Sequence, residues 1–516
     1  MTAMPASSRF VVPVLLLAAA LGLGLRLWRL DACWANNRAG YNGACYWGLF
    51  GLNYFRYGCA ETKGAPFLLR LEAPGEAPKI DYYVRHPFAI SVLVALSFHL
   101  FGPSEWAAQL VPLVFMLGAL LLAWPVTCRL AGRGVALATV LLLAVLPMGV
   151  VYGQQVNSEG PLLFFLFLTL LPYLRYRESG SKRALGWALL AYFPATLFDW
   201  PALLLGPVLL LDALLFARRK VRALFFAGVP LATFLLFLAY AALVFTTPKL
   251  GIAHVLRGAS AGTDVRNTSA WLANQATFLL DLYTPPVLGL AFLGLLLRLR
   301  EWWSARRGDR PPSTPHLFLA LSLFSVAVPV VFWGRSIDHD YYSFSYLPLV
   351  AIAAALALDR AWKWLAERRL AVLGGLLLFL AAALPTARSY ALMRDWPDGE
   401  IQRLLEDPWI AAHTRPQDSL IAADPIFGYL GFYRDAVLLS RVVARMQLAK
   451  YRELMVKRAG ADGRITYLVP LPLPPPLEPV VAELRESFPS QEVTLTLPRL
   501  FERGLHECRL LVFDLK

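Results

Sequence analysis

Three stretches of the 516-residue chain set acids and bases directly against apolar runs: "GQQVNSEG" with Glu159, "TLFDWP" with Asp199, and "GRSIDHDYY" with Arg335, Asp338, His339, Asp340, Tyr341 and Tyr342. A carboxylate in an apolar setting is suited to accept a proton. Guanidinium and imidazole groups beside it are suited to hold an anion such as phosphate. The same residue types recur at Asn42, Lys63, Asp81, Arg85 and His86, and again at His254, Arg257 and Asp281. Taken singly, each has a structural explanation. Asp199 precedes Trp200 and Pro201 and suits a helix N-cap, Asp338 and Asp340 could cap the next helix, and paired tyrosines anchor membrane interfaces. The signal lies in the set, and its meaning depends on the elements that position it.

Those elements belong to a membrane. Hydrophobic residues make up 58% of the chain and charged residues 16%, far from the balance of an ordinary soluble domain. The net charge of +14 is spread over short clusters between apolar runs, which orients helices and argues against nucleic-acid binding. The run from Phe10 to Leu25 has no small-residue cleavage site before Trp28 and reads as a retained first helix. With about 20 apolar residues needed per crossing, candidate spans fall near 10–28, 105–128, 134–152, 160–175, 184–198, 200–217, 223–246, 284–299, 316–333, 344–359 and 370–387, about eleven in all.

The intervening loops alternate in charge. "CRLAGRG", "RYRESGSKR", "ARRKVR", "RLREWWSARRGDR" and "DRAWKWLAERR" are rich in Lys and Arg, whereas "GQQVNSEG", "FDWP" and "GRSIDHDYY" share a single Arg. The positive-inside rule makes the first set cytoplasmic. The N-terminus is then cytoplasmic, and a long first loop (29–104), Glu159, Asp199, the loop from about 247 to 283, the DHDYY segment and the C-terminal tail all face outward. Arg26 and Arg29, at the outer end of the first helix, run against this assignment. Phe88 to Phe101 is apolar but too short to span and reads as an interfacial helix.

The expected fold is therefore mainly α: a polytopic membrane domain over 1–389, and a soluble α/β domain over 390–516 with strand-length runs such as "DSLIAADP", "RITYLVPL" and "CRLLVFDL". Cys33, Cys45, Cys59 and Cys508 would face an oxidising compartment, where a disulfide within the first loop is allowed but not assigned by spacing. No metal-ligand spacing, Walker A or dinucleotide motif appears.

The stretches "YNGACYWGLFGLNYFRYGCAETK" and "YYVRHPFAISVLVALSFHLFGPSEWAAQLVPLVF", then "VYGQQVNSEGPLLFF", "TLFDWPALLL" and "HDYYSFSYLPLVAIAAALAL", resemble landmarks of the GT-C membrane glycosyltransferases. The likeness is to the family-39-like branch, which holds the protein mannosyltransferases and aminoarabinose transferases, and it runs over roughly residues 10 to 360. The resemblance implies transfer of a sugar from a polyprenyl-phosphate carrier to a lipid, protein or glycan acceptor at the outer face of a bacterial inner membrane. It also exposes a departure: many members carry an acid, often Asp-Glu, early in the first loop, where this chain has Asn42. An amide cannot be a general base, so that role passes to Glu159, or to Asp81 or Asp31. Asn42 and His86 would orient donor or acceptor. Lys63, His254, Arg257, Arg335 and His339 are the phosphate-side candidates, with Asp340 and Tyr341 at the mouth of the lipid-entry cavity. No nucleotide or redox cofactor is required, and a divalent cation bridging phosphate to Asp338 or Asp340 is compatible with the residues but not demanded by them. The competing readings are a polysaccharide ligase or polymerase, a non-catalytic relative and a transporter. Against transport, ionisable groups are few at mid-membrane, Asp212 being the main exception.

Overall fold

The computed structural model describes residues 11–34, 37–71, 78–83, 86–217, 220–244, 268–306, 315–394, 398–422, 424–434, 437–440, 455–456, 459, 462–473, 475–499 and 505–515. The candidates Arg85, His254 and Arg257 lie outside these residues. Two compact units are interleaved along the chain. One comprises Met1–Leu30, Val84–Ala89 and Gln109–Arg394, the other Asp31–Tyr83, Ile90–Ala108 and Asp395–Lys516.

The first unit is helical, and each of the eleven apolar segments is helix over most of its described residues. Among the described residues, four helices are long and apolar enough to cross a membrane on their own: Glu105–Ala131, Lys220–Val244, Asp340–Glu367 and Ala371–Arg394. A bent pair, Thr268–Tyr283 and Pro285–Ser304, adds a fifth if it is one span broken by 103°. Shorter apolar helices include Leu15–Leu27, Arg133–Val145, Trp200–Phe216 and Ala320–Val331. One expectation is corrected. The stretch up to 283 was read as an outer loop, yet Thr268–Tyr283 is a helix. Its sequence, TSAWLANQATFLLDLY, mixes polar and apolar residues and so escapes a hydropathy window, but it still puts Trp271, Gln275 and Leu282 at helical spacing on a buried side.

Close helix packing rests on small residues. A Cβ at Gly294 would meet the Ala353 carbonyl oxygen at 1.9 Å, so the Pro285–Arg306 helix can approach the alanine-rich Leu347–Glu367 helix only with glycine there. The segment expected to be one span over 134–152 is broken between Val145 and Pro147, leaving helix-end carbonyls without partners of their own. Arg26 answers them. It is fully buried and donates to the carbonyls of Leu143 (3.2 Å), Ala144 (2.9 Å), Gly149 (2.8 Å) and its own helix's Gly22 (2.8 Å). Arg29 likewise donates to the Met393 and Arg394 carbonyls at the end of the last long helix. The two arginines that ran against the charge rule are thus spent on helix ends.

In the second unit, the segment that follows the first helix packs with the tail. Trp34 meets the edge of Phe432, Tyr41 that of Tyr429, and Cys33 donates to Gln402. Gly428 leaves room for Cys45 and Tyr41, since a Cβ there would lie 3.0 Å from the Cys45 sulfur. All five cysteines are free, so the disulfide that was left open in the first loop is not formed. The tail builds a five-stranded mixed sheet in the order Val437–Ser440, Ser419–Ala422, Ile465–Leu471, Leu505–Asp514, Ser490–Pro498. Parallel pairing joins the first three strands and antiparallel pairing the rest. Ile465, Tyr467, Val469, Leu511 and Phe513 pack with Val481 and Leu484 of the Glu478–Ser487 helix. Asp418, just before the Ser419–Ala422 strand, accepts from the Arg464 N–H (2.9 Å) and from the Arg415 N–H and Nε (3.0 and 3.1 Å). Burial pushes this carboxyl up, and the hydrogen bonds from Arg464 and Arg415 outweigh it, holding the group below its ordinary value.

Two predictions follow from these contacts. Arg26→Met strands several buried carbonyls and should lower stability by at least ~3 kcal/mol, read as a fall in melting temperature of the purified chain, whereas Arg29→Ala, nearer the surface, should cost ~1 kcal/mol or less. Asp418 has a depressed folded value, so its contribution is complete above the ordinary Asp value of ~3.9 and is lost as pH falls through the lower folded one. Melting temperature should therefore drop more steeply below pH ~4 in wild type than in Asp418→Asn. Parallel curves would refute the assignment.

Candidate active site in the helical unit

The broken segment sets up the site. After the elbow, Pro147–Tyr152 turns into Gly153–Ser158, and the Glu159–Ser179 helix begins. This turn, expected as an outward loop, is buried throughout, from Gly153 to Glu159. Gly153 is required there, since a Cβ would meet the Gly149 carbonyl at 2.4 Å and Arg26 Nε at 2.7 Å. Gln154 donates to the Trp28 carbonyl (3.0 Å) and Ser158 to that of Phe198 (3.1 Å), tying the turn to the first helix and to the Asp199 corner.

Three carboxylates converge here. Glu159 is 4% exposed, and its Oε2 has no hydrogen-bond partner among the described residues. It lies within electrostatic reach of Asp199 and Asp340. Asp199 caps the Trp200–Leu204 turn through the Trp200 N–H (2.7 Å), as its sequence context suggested. The same oxygen, Oδ1, lies 3.0 Å from His86 Nδ1. The His86 segment is seated by a hydrogen bond from the Ala89 N–H to the Leu197 carbonyl, and by Phe88 packing against the Trp200–Phe237 cluster. Asp340 accepts from the hydroxyl of the fully buried Tyr152 at 2.6 Å. Glu159, Asp199, Tyr341 and Tyr342 line one cavity, walled otherwise by apolar side chains such as Leu163, Phe324 and Val328.

The DHDYY segment is held from behind by the Thr268–Tyr283 helix. Trp271 stacks on Trp333 at 4.0 Å and donates to Ser336 Oγ (2.7 Å). Gln275 donates to the Ser336 carbonyl (2.6 Å), Asn274 to that of Ile337 (2.8 Å) and Tyr283 to that of Ser343 (2.6 Å). Tyr342 then stacks on Phe332, and Tyr341 lies between the rings of His339 and Tyr342. Arg335 is half-buried on the short Trp333–Ser336 helix, with no side-chain hydrogen bond or ion pair among the described residues. Among the described residues, no group of three or more His, Cys, Asp or Glu could hold a metal ion.

The architecture is shared. Residues 85–245 match the family described as dolichyl-phosphate-mannose-protein mannosyltransferase. The structure of ArnT from Cupriavidus metallidurans bound to undecaprenyl phosphate superposes with a TM-score of 0.60 at 16% identity, over 99% of this chain and 99% of that one. The fold is that of the GT-C glycosyltransferases. A second GT-C structure, the archaeal oligosaccharyltransferase AglB from Archaeoglobus fulgidus in complex with an inhibitory peptide and a dolichol-phosphate, gives 0.58 at 13% identity, covering 89% of this chain and 69% of that one. No curated protein matches by sequence.

Within this GT-C frame the sequence candidates divide between the units. Glu159, His86, Asp340, Tyr341, His339 and Arg335 belong to the helical unit, and the geometry links Glu159, Asp199, His86, Tyr152 and Asp340. Asn42, Lys63 and Asp81 belong to the other unit. Asn42 ends the Arg38–Asn42 helix where it passes into the π-helical Gly43–Trp47, an irregular turn of the kind often found at functional sites. Lys63 is exposed at the positive φ of 53° that ends the Gly48–Glu61 helix, and Asp81 lies on the Lys79–Tyr82 strand. Sequence reasoning missed Tyr152, whose only cue is its place seven residues before Glu159, and the Trp271–Gln275 clamp. Asp212, the exception to the argument against transport, is ion-paired to Arg177 (3.1 Å) and accepts from Tyr173 (2.5 Å), which gives it a structural role.

Tyr152→Phe removes one charge-assisted hydrogen bond and should cost ~1.5–3 kcal/mol. Combined with Asp340→Asn, the losses should sum to less than the two single effects, by ~1 kcal/mol or more. Strict additivity in thermal melts would show that the two groups are not coupled.

Proposed function

We propose that the chain is a multi-pass membrane glycosyltransferase that moves a sugar from a polyprenyl-phosphate donor to a lipid, protein or glycan hydroxyl. The observation that carries this reading is the buried Glu159, with an unpaired Oε2, lining a largely apolar cavity beside Asp199 and the tyrosines of DHDYY. The undecaprenyl phosphate held by the ArnT structure and the dolichol-phosphate held by AglB support a polyprenyl-phosphate donor here.

The chemistry asks for little else. The acceptor oxygen attacks the anomeric carbon, the bond from that carbon to the phosphate oxygen breaks, and the carrier leaves as a phosphate anion. One base takes the acceptor proton, and cations stabilise the leaving group. Glu159 is the base in this reading. Its burial at the head of a helix keeps water from competing for the proton. Arg335, on the segment that carries Asp340, and His86, beside Asp199, are the phosphate-side candidates in this reading, and Tyr341 and Tyr342 offer ring faces to sugar or prenyl chain. Asp199 orients His86 and caps its own turn. No cofactor is needed; a divalent cation at Asp338 or Asp340 would help neutralise the phosphate. In this reading the site lies at the outer face of a bacterial inner membrane, with the N-terminus cytoplasmic and the tail outside, an orientation that the charge pattern of the loops supports.

The decisive measurement is transfer by purified protein from polyprenyl-phosphate mannose, glucose or arabinose, comparing wild type with Glu159→Gln at equal folded yield. Loss of turnover by ~100-fold or more is expected from removing a general base. Transfer that persists would move the base to Asp199 or to the first outer segment. Absence of turnover with every donor in the wild type would overturn the donor class.

A further inference from the structure

The helical hairpin formed by Glu159–Ser179 and Lys182–Ala195 carries a second recess, apart from the cavity at Glu159. It is a groove of about 860 Å³. Its walls come from Leu168 and Leu171 on one helix and Trp187 and Leu190 on the other. Arg175 lies one helical turn beyond Leu171, and Arg183 one turn before Trp187. Because the helices are antiparallel across the Gly180 turn, both arginines fall at the same end of the groove. Both are exposed, and neither has a side-chain hydrogen bond or ion pair among the described residues. Glu178 also lines this end, and Arg129, which donates to the Leu171 carbonyl (3.3 Å), brings a further positive charge close to the wall.

We propose that this groove is a binding site for an anionic membrane phospholipid, with the headgroup phosphate between Arg175 and Arg183 and an acyl chain along Trp187, Leu190 and Leu168. The recess is apolar along its length and basic at one end, which matches the charge distribution of such a lipid. Trp187, 54% exposed, lies one turn inward of Arg183, where an aromatic ring meets the boundary between headgroup and chain. Guanidinium pairs bind phosphate oxygens more tightly than single ammonium groups do. The carboxylate of Glu178 works against the headgroup and sets the affinity below what the arginines alone would give. The site is independent of the transfer reaction and stands whether or not Glu159 is the base.

The test uses the full chain in detergent micelles, with phosphatidylglycerol carrying brominated acyl chains as the probe and tryptophan quenching as the readout. The Trp187-dependent part of the quenching is taken as the difference from Trp187→Phe. Each basic residue near a membrane surface contributes about a fivefold factor in binding anionic lipid, so Arg175→Gln with Arg183→Gln should weaken the affinity read by quenching by about 25-fold. Glu178→Gln should strengthen it, which keeps the test decisive if the double variant is poorly folded. Brominated phosphatidylcholine should leave Trp187 unquenched. Equal affinity in wild type and both variants, or equal quenching by phosphatidylcholine, would overturn the proposal. Displacement of phosphatidylglycerol by an equimolar polyprenyl phosphate would also overturn it and assign the groove to the carrier instead.

Discussion

A single buried guanidinium holds the helical unit to its working shape. Inside a membrane every backbone carbonyl needs a partner from within the protein, and a helix that breaks exposes several at once. The break between Val145 and Pro147 is such a place, and Arg26 reaches into it from the first helix to satisfy Leu143 and Ala144, with a further bond to Gly149 beyond the break. The elbow it stabilises turns Pro147–Tyr152 away from the line of the preceding helix, and from that turn Tyr152 and Glu159 are presented. The glycines at 149 and 153 are part of the same arrangement, because larger side chains would collide with the guanidinium or with the backbone it binds.

The same logic orders the other charges of this unit. Arg29 completes the end of the Ala371–Arg394 helix, and Arg177 and Tyr173 neutralise Asp212. Beside these stand three further acids, Glu159 with Asp199 and Asp340 within its electrostatic reach. Asp199 is shared between a turn amide and His86, Asp340 is held by Tyr152, and Glu159 keeps an oxygen without a partner among the described residues. Burying an unpaired carboxylate oxygen is expensive, and such a cost is retained where a substrate completes the arrangement.

The second unit answers a different constraint. The aromatic residues of the segment after the first helix, Trp34 and Tyr41, find partners in Phe432 and Tyr429, close to four hundred residues along the chain. The glycines of "YNGACYWGLFG" are shaped by this packing. Gly43 faces the Trp34 ring, which a Cβ would meet at 2.7 Å, and Gly48 faces the Gly43 carbonyl.

Local pattern carried much of this in the sequence. Apolar runs of sufficient length made helices of all eleven segments, since intrahelical hydrogen bonding and apolar side chains are both local properties. The strand-length runs of the tail gave its sheet, Asp199 before Trp-Pro gave its cap, and the family-like motifs pointed to the GT-C fold. Tertiary structure alone decided the rest. That Tyr152 meets Asp340, that His86 meets Asp199, and that Thr268–Tyr283 clamps the DHDYY segment depend on packing between residues far apart in the chain, which leaves no periodic trace in either partner. Arg26 shows the boundary best: the sequence displayed a charge at the end of an apolar helix, and only the fold revealed that its partners are the carbonyls of a broken helix more than a hundred residues away.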